Sequence, residues 1–396
     1  MFERIGFSSL LGPAVLSAAL AAASATSASP TRLLSGMPPA RDRVLIPTGD
    51  GIAGFASRMA PKSPDTLEVH AFLVEYLLEK PDNSATTGNG TFGSDSSTRT
   101  HLESWRARRD STRLHYLKLF QGVSEYWRTA SGGKLEVEFR VFPEQQGAKP
   151  YTLPRTIGQY SPVGPAKNQS RASFDSIYVV RIMEMVADAA RLAAADPKGP
   201  FSVALPTTPT RNRAYMMIHA GASRSSDGGE GGAGSANTAA DIGDFTVGPA
   251  DHVYLGIRKL VRDSAYLKDT LGVVLDTTKA SSGASTIDTL KNLLVMSETA
   301  TQDGMNWGLR GTAANLVGRA LGLPDLYDTW RGMSVMGQFC VMDWAGSYLG
   351  RNSTPALPSA WPRLFMGWAT PIVATPSTAT RIRLPAVRPG HDTVLV

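Results

Sequence analysis

The sequence contains one cysteine, Cys340, among 396 residues. Without a second cysteine the chain cannot form an intramolecular disulfide, so its stability must come from core packing, to which bound ions can contribute. Apolar residues are plentiful, since 42% of the chain is hydrophobic and 19% is charged. This composition excludes a wholly disordered chain and predicts a globular protein with a sizeable core.

Long hydrophobic runs are absent beyond the N-terminus. Residues 1–30 combine Arg4, an apolar run over 7–20 and small residues at Ala23 and Ala25, which is the pattern of a signal peptide. That run is shorter than the roughly 20 residues that a spanning helix needs. We therefore expect a secreted protein, extracellular or periplasmic, with no membrane span once the signal is removed.

Several catalytic and nucleic-acid signatures are also lacking. The net charge is +6, but the basic residues are spread along the chain and cluster only at 105–113, which predicts a solvated helix face and no nucleic-acid binding. No G-x-S-x-G elbow, Walker loop or dinucleotide fingerprint occurs. Cys340 has no obvious base beside it, so a nucleophilic role is not predicted.

Histidine is scarce, with six in the chain and no two spaced three or four residues apart. A zinc motif local in sequence is therefore absent, although ligands distant in sequence remain an alternative. His219 ends an apolar run, where a lone histidine is more often a core residue than a ligand. It is kept as a candidate for lining a cleft.

The pattern of the chain predicts a mixed α+β architecture. Residues 31–65, with five prolines, read as a linker or leader, and the fold begins near Leu67. Helices are predicted at 104–129, 174–196 and about 251–268, and strands at 66–76, 134–142, 214–221 and 292–298. The spacing of these elements lacks the regularity of a repeated βαβ array.

Residues 222–241 are rich in Gly and Ser and predict a long surface loop. Asp227, Glu230, Asp241 and Asp244 are candidate calcium ligands there, but they lack the spacing of an EF-hand loop. Solvated loop carboxylates are the favoured interpretation.

The segment after Gly311 contains the main candidate residues for a functional site. Its apolar residues form one helical stripe, with Thr312 as candidate N-cap, Gly322 just past the end and Pro324 beyond it. Asn315 and Arg319 are four residues apart, so they share a helix face. This is the spacing by which H-E-x-x-H presents two imidazoles to one zinc ion.

With "GLPDLYDT" (322–329) and "CVMDWAGSYLG" (340–350), this segment resembles the immune inhibitor A family of secreted zinc metallopeptidases. The resemblance places Asn315 and Arg319 where the family has its two histidine ligands, and Leu316 where it has the glutamate base. Asp325 matches the third ligand, and Met342 matches the Met-turn residue beneath the metal.

Further stretches resemble the family in the same order, so the resemblance covers most of residues 67–371. They are 86–92, 131–143, 218–227 and 358–368. The resemblance implies a zincin-like fold over 66–371: a twisted mixed sheet, an active-site helix and a cleft between two lobes. His219 and Tyr327 are its cleft candidates. Residues 372–396 are expected to start a C-terminal β region, truncated at Val396.

The replaced residues predict lost chemistry. Asn315 offers a neutral amide and Arg319 a fixed positive charge, and neither replaces imidazole as a zinc ligand. Leu316 cannot accept a proton from water. No zinc or other cofactor is therefore expected, and we hypothesise that Arg319 pairs with Asp325 while Asn315 hydrogen-bonds nearby.

The function expected for such a chain is binding of a peptide or protein in the former active-site cleft, because family clefts hold substrate as an extended strand. One alternative is an active metal-dependent endopeptidase that uses ligands distant in sequence. The other is a structural module of a larger surface protein.

Overall fold

The computed structural model describes residues 64–81, 83, 85–93, 112–161, 171–204, 206–208, 210–223, 240–247, 293–300, 308–328, 333–343, 352–372 and 393–395. The predicted signal peptide, the leader up to residue 63 and the predicted helix at about 251–268 lie outside these residues.

A six-stranded mixed sheet forms the centre of the fold, with the order β2-β1-β4-β6-β5 and β3 beside the end of β1. The strands are β1 (Thr66–Glu75), β2 (Glu136–Phe142), β3 (Tyr151–Thr152), β4 (Arg211–Ala222), β5 (Phe245–Val247) and β6 (Leu293–Thr299). All neighbours are parallel except β5, which runs antiparallel to β6. The predicted mixture of helices and a mixed sheet is confirmed.

The inner strands are covered on both faces, and their sequences reflect it. β1 and β4 contain the apolar runs 71–74 and 214–218 and are buried over most of their length, as parallel strands between two helix layers are. β2 alternates buried and exposed residues at its start, as a strand with one face in the core and one face in water does.

Five helices lie in the described ranges: α1 (Thr112–Ala130), α2 (Ile157–Tyr160), α3 (Arg171–Ala195), α4 (Arg310–Ala320) and α5 (Ala360–Phe365). None of them has the length and apolar character that crossing a bilayer requires. The described elements also include two short strand pairs, β7 (Tyr327–Asp328) with β8 (Met333–Ser334) and β9 (Thr370–Ile372) with β10 (Thr393–Leu395), and a 3₁₀ helix at Gly337–Phe339.

Helices α1 and α4 pack on one face of the sheet. The ring of Phe120 in α1 stacks on Phe139 of β2 with 4.2 Å between centroids, and α4 packs against α1 and the end of β6. Gly132 and Gly133, just after the end of α1, adopt positive φ angles of 65° and 82°. This face therefore carries the helix that contains Asn315 and Arg319.

The opposite face packs against α3 and the chain around residue 200. Tyr76, just after β1, donates its hydroxyl proton to Met185 Sδ of α3 at 3.2 Å. On the same face His70 lies between the rings of Phe142 and Tyr215, and its Nδ1 is 3.1 Å from the Pro200 carbonyl oxygen. A histidine is thus built into the core between the sheet and its cover.

Burial lowers the pKa of His70 to about 4, although the Pro200 carbonyl favours the protonated ring. In the unfolded chain the imidazole takes up a proton near pH 6.5, whereas in the folded protein it stays neutral down to about pH 4. The unfolded state therefore binds more protons in this window. The contribution of the neutral His70 ring to the free energy of unfolding is complete above pH 6.5 and is lost as the pH falls toward 4.

We predict that the free energy of unfolding, measured in denaturant between pH 7 and 4, falls by up to about 1.4 kcal/mol per pH unit because of His70. The variant His70→Phe should show a shallower dependence, and the control His115→Phe, in α1, the wild-type dependence. Equal slopes for His70→Phe and wild type would refute the assignment.

Candidate functional site

The start of α4 is fixed by a residue distant in sequence. The amide of Thr312 donates to Asn352 Oδ1 at 2.9 Å, and the amide of Gly311 donates to the Asn352 carbonyl at 2.9 Å. The helix begins at Arg310, with Leu309 as its N-cap. The prediction of Thr312 as N-cap is therefore wrong, because Asn352 satisfies these amides and the helix begins three residues earlier.

The end of α4 forms the predicted turn around Gly322. Gly322 has a φ of +87°, its amide donates to the Arg319 carbonyl at 2.9 Å, and the amide of Leu323 donates to the Gly318 carbonyl at 3.0 Å. These two bonds define a Schellman motif. The turn brings Asp325 back beside the last turn of the helix.

Arg319 joins the three polar residues of this segment into one cluster. Its Nε donates to Asn315 Oδ1 at 2.9 Å, and its Nη2 donates to Asp325 Oδ2 at 2.7 Å. The side chains of Arg319 and Asp325 are 16% and 11% exposed, so the ion pair is largely shielded from water. The hypothesised pairing is confirmed.

Asn315 links the cluster to the chain beneath the helix, because its Nδ2 donates to the Val341 carbonyl at 2.8 Å. Both ends of its amide are thus used, the oxygen by Arg319 and the nitrogen by Val341. The bonds fix the orientation of Asn315 and, through it, that of the guanidinium.

The side chains of this cluster do not fit a zinc ion. Its one carboxylate already accepts a hydrogen bond from a guanidinium, and the remaining groups are an amide and a permanent cation. Leu316, the residue after Asn315, is buried and only 2% exposed. Across the described ranges, no three His, Cys, Asp or Glu side chains are grouped so that they could hold a metal ion.

Met342 lies directly under α4. It is fully buried, and its carbonyl accepts a hydrogen bond from the amide of Leu326 at 2.8 Å. Gly318 permits the close approach, because a Cβ on Gly318 would clash with Met342 Sδ and lie 3.2 Å from the Trp127 ring. The contact places Met342 beside Gly318, the residue before Arg319 in α4.

Tyr327, a cleft candidate, lies in β7, where it pairs with Ser334 of β8. Its side chain is outside the described part of the structure.

Asp343, which sequence reasoning missed, follows Met342 and organises the neighbouring chain. Its carboxylate accepts hydrogen bonds from the amides of residues 335–337 and from the Ser334 hydroxyl. A lone Asp after an apolar run gives no sequence signal for this role.

His219, the other cleft candidate, lies on the α3 face, where its ring meets Tyr76 edge to face at 6.0 Å. It is not brought together with Arg319, whose helix covers the opposite face. Nδ1 of His219 is 2.9 Å from the Ala220 carbonyl oxygen, and burial lowers the pKa of the ring. His219 is therefore a neutral core histidine.

The carboxylates at 241 and 244 tie their segment to the sheet. Asp241 is 1% exposed and accepts hydrogen bonds from the Thr87 amide at 2.7 Å and hydroxyl at 2.6 Å. Asp244 accepts from the hydroxyl of Ser223 at 2.6 Å and the amide of Ser297 at 2.8 Å. The prediction of a solvated Asp241 is wrong, because its chain packs against residues 85–93. Asp227 and Glu230 lie outside the described residues.

No protein-family model matches this chain, and no curated protein shows significant similarity to it.

Proposed function

We propose that this chain is a secreted homologue of the immune inhibitor A peptidases, with a zincin-like fold, that has lost the zinc chemistry and binds an extended peptide or protein segment. One observation carries the proposal: Arg319 hydrogen-bonds to both Asn315 and Asp325. The resemblance aligns all three residues with the family's zinc ligands.

The cluster supports the loss of metal in two ways. The guanidinium fills the space between the aligned ligand positions, and its charge repels a divalent cation. The ion pair also places a positive charge beside the shielded carboxylate of Asp325. A metal site has in this view become a structural ion pair.

Position 316 supports the loss of catalysis. A zincin hydrolyses a peptide bond by deprotonating a metal-bound water, which needs a base beside the metal. Leu316 is apolar and is packed into the core. Neither the metal nor the proton acceptor of that mechanism is provided by these residues.

Strand β5 supports the binding role. Among the described strands it is the last on its side of the sheet, it runs antiparallel to β6, and α4 contacts it. An edge strand beside the active-site helix can add an extended peptide as a further strand through main-chain hydrogen bonds. Such binding uses the backbone of β5 and needs no metal.

The loss of metal predicts a clear calorimetric result. Chelator-stripped wild-type protein should take up no zinc in a titration, whereas the triple variant Asn315→His, Leu316→Glu, Arg319→His should bind zinc tightly. The variant restores two imidazoles beside Asp325 on the same helical scaffold. The single variant Arg319→His serves as control and should bind weakly, because its ligand set is incomplete.

Stoichiometric tight zinc binding by the wild type would contradict the proposal and favour a peptidase whose ligands are distant in sequence. If the triple variant folds but does not bind zinc, the alignment of residues 315, 319 and 325 with the family's zinc-ligand positions is wrong.

The binding role predicts that a peptide selected from a random phage-displayed library slows amide hydrogen exchange in Phe245–Val247. New main-chain hydrogen bonds at the edge of β5 protect its amides. Residues of β2, on the far side of the sheet, are the internal control and should exchange unchanged. Absence of any selected peptide would favour the structural-module alternative, and protection confined to other segments would exclude β5 as the binding edge.

A further inference from the structure

A short turn between β8 and Met342 exposes apolar side chains that the proposed function does not use. Phe339 is 81% exposed, Val335 67% and Met336 37%, all within five residues. We call these three residues the apolar knuckle. Large apolar side chains clustered at this exposure indicate an interaction surface, whereas single exposed ones are common.

The backbone of the knuckle is held rigidly from within. Asp343 Oδ2 accepts from the amides of Val335 at 2.9 Å and Gly337 at 3.0 Å, and also from the amide of Met336. The amide of Phe339 donates to the Met336 carbonyl at 3.3 Å. A carboxylate that is 6% exposed thus fixes a turn whose side chains point into solvent.

The internal hydrogen bonds of the knuckle backbone bear on whether it can enter an apolar medium. A segment that leaves water must have its backbone amides satisfied internally, because a hydrocarbon medium offers no acceptor. The amides of 335, 336, 337 and 339 already have acceptors within the protein. The knuckle can therefore enter an apolar medium without losing hydrogen bonds to water at these amides.

The side chains favour a lipid surface over a protein pocket. Protein hot spots are enriched in Trp, Tyr and Arg, which combine apolar area with polar groups. The knuckle presents Val, Met and Phe, and Gln338 is the one polar side chain among residues 335–339. Its exposed side chains are apolar, which suits shallow insertion between lipid headgroups.

Charge selects the kind of lipid. The chain carries a net charge of +6, so a negatively charged surface attracts it and a neutral one does not. We propose that the apolar knuckle of Val335, Met336 and Phe339 inserts into the interfacial layer of an anionic lipid membrane and docks the protein there peripherally.

The test is co-sedimentation of the full-length mature protein with vesicles of phosphatidylcholine and phosphatidylserine in equal amounts, and with vesicles of phosphatidylcholine alone. The wild type should bind the mixed vesicles more tightly, and added salt should weaken that binding. Phe339→Ser should lower the partition coefficient by about tenfold, the effect of removing one large buried apolar side chain. Phe339→Trp should retain binding, since Trp suits the interface.

Leu114→Ser is the matched control, because Leu114 is 57% exposed on α1, far along the chain from the knuckle. It should bind like the wild type, and all variants should unfold at the wild-type temperature. Wild-type protein that stays in the supernatant would overturn the proposal. So would equal binding of wild type and Phe339→Ser, or equal binding to both kinds of vesicle.

Discussion

The guanidinium of Arg319, held between Asn315 and Asp325, is the interaction on which the local structure of the site depends. Asn315 lies one helical turn before Arg319, and Asp325 lies on the chain that returns after the helix. Both segments must be correctly placed for the two hydrogen bonds to form. Because the ion pair is largely shielded, removing either partner would leave a charge in a poorly solvated position. The pair therefore ties the exit of α4 to the helix itself.

Close packing places that pair. Gly318 lets α4 approach Met342 and Trp127 to a distance that a Cβ would prevent. Gly322, in the left-handed region, then reverses the chain within one residue. Asn315 reaches down to the Val341 carbonyl, so helix, turn and the chain beneath form one hydrogen-bonded unit. A site built in this way keeps its shape with or without a catalytic role.

Much of the site and of the secondary structure could be predicted from the sequence, because both depend on the spacing of residues close together in the chain. The spacing of Asn315 and Arg319 put them on one helix face, and Gly322 marked the turn that returns Asp325. Strand and helix positions followed from apolar periodicity, as in 134–142. The sheet order was not predictable in this way, because parallel pairing joins residues far apart in the chain and leaves no local pattern.

The two errors have the same cause. Thr312 looked like a cap because it is a hydroxyl residue just before the apolar stripe of the helix, but Asn352, forty residues later, accepts hydrogen bonds from the amides of Gly311 and Thr312. Asp241 looked solvated because it ends a segment rich in Gly and Ser, yet Thr87 donates hydrogen bonds to it in the core. In both cases a distant residue satisfied a polar group whose partner the local sequence could not reveal.

A double-mutant cycle on Arg319 and Asp325 tests the central claim most directly. The free energies of unfolding of Arg319→Ala, Asp325→Ala and the double variant would be measured in denaturant at neutral pH. If the ion pair organises the site, each single change destabilises the protein and the two effects are coupled by about 1–2 kcal/mol. Effects that add to within about 0.5 kcal/mol would mean that the two residues act independently, and the account of a metal site replaced by an ion pair would fail.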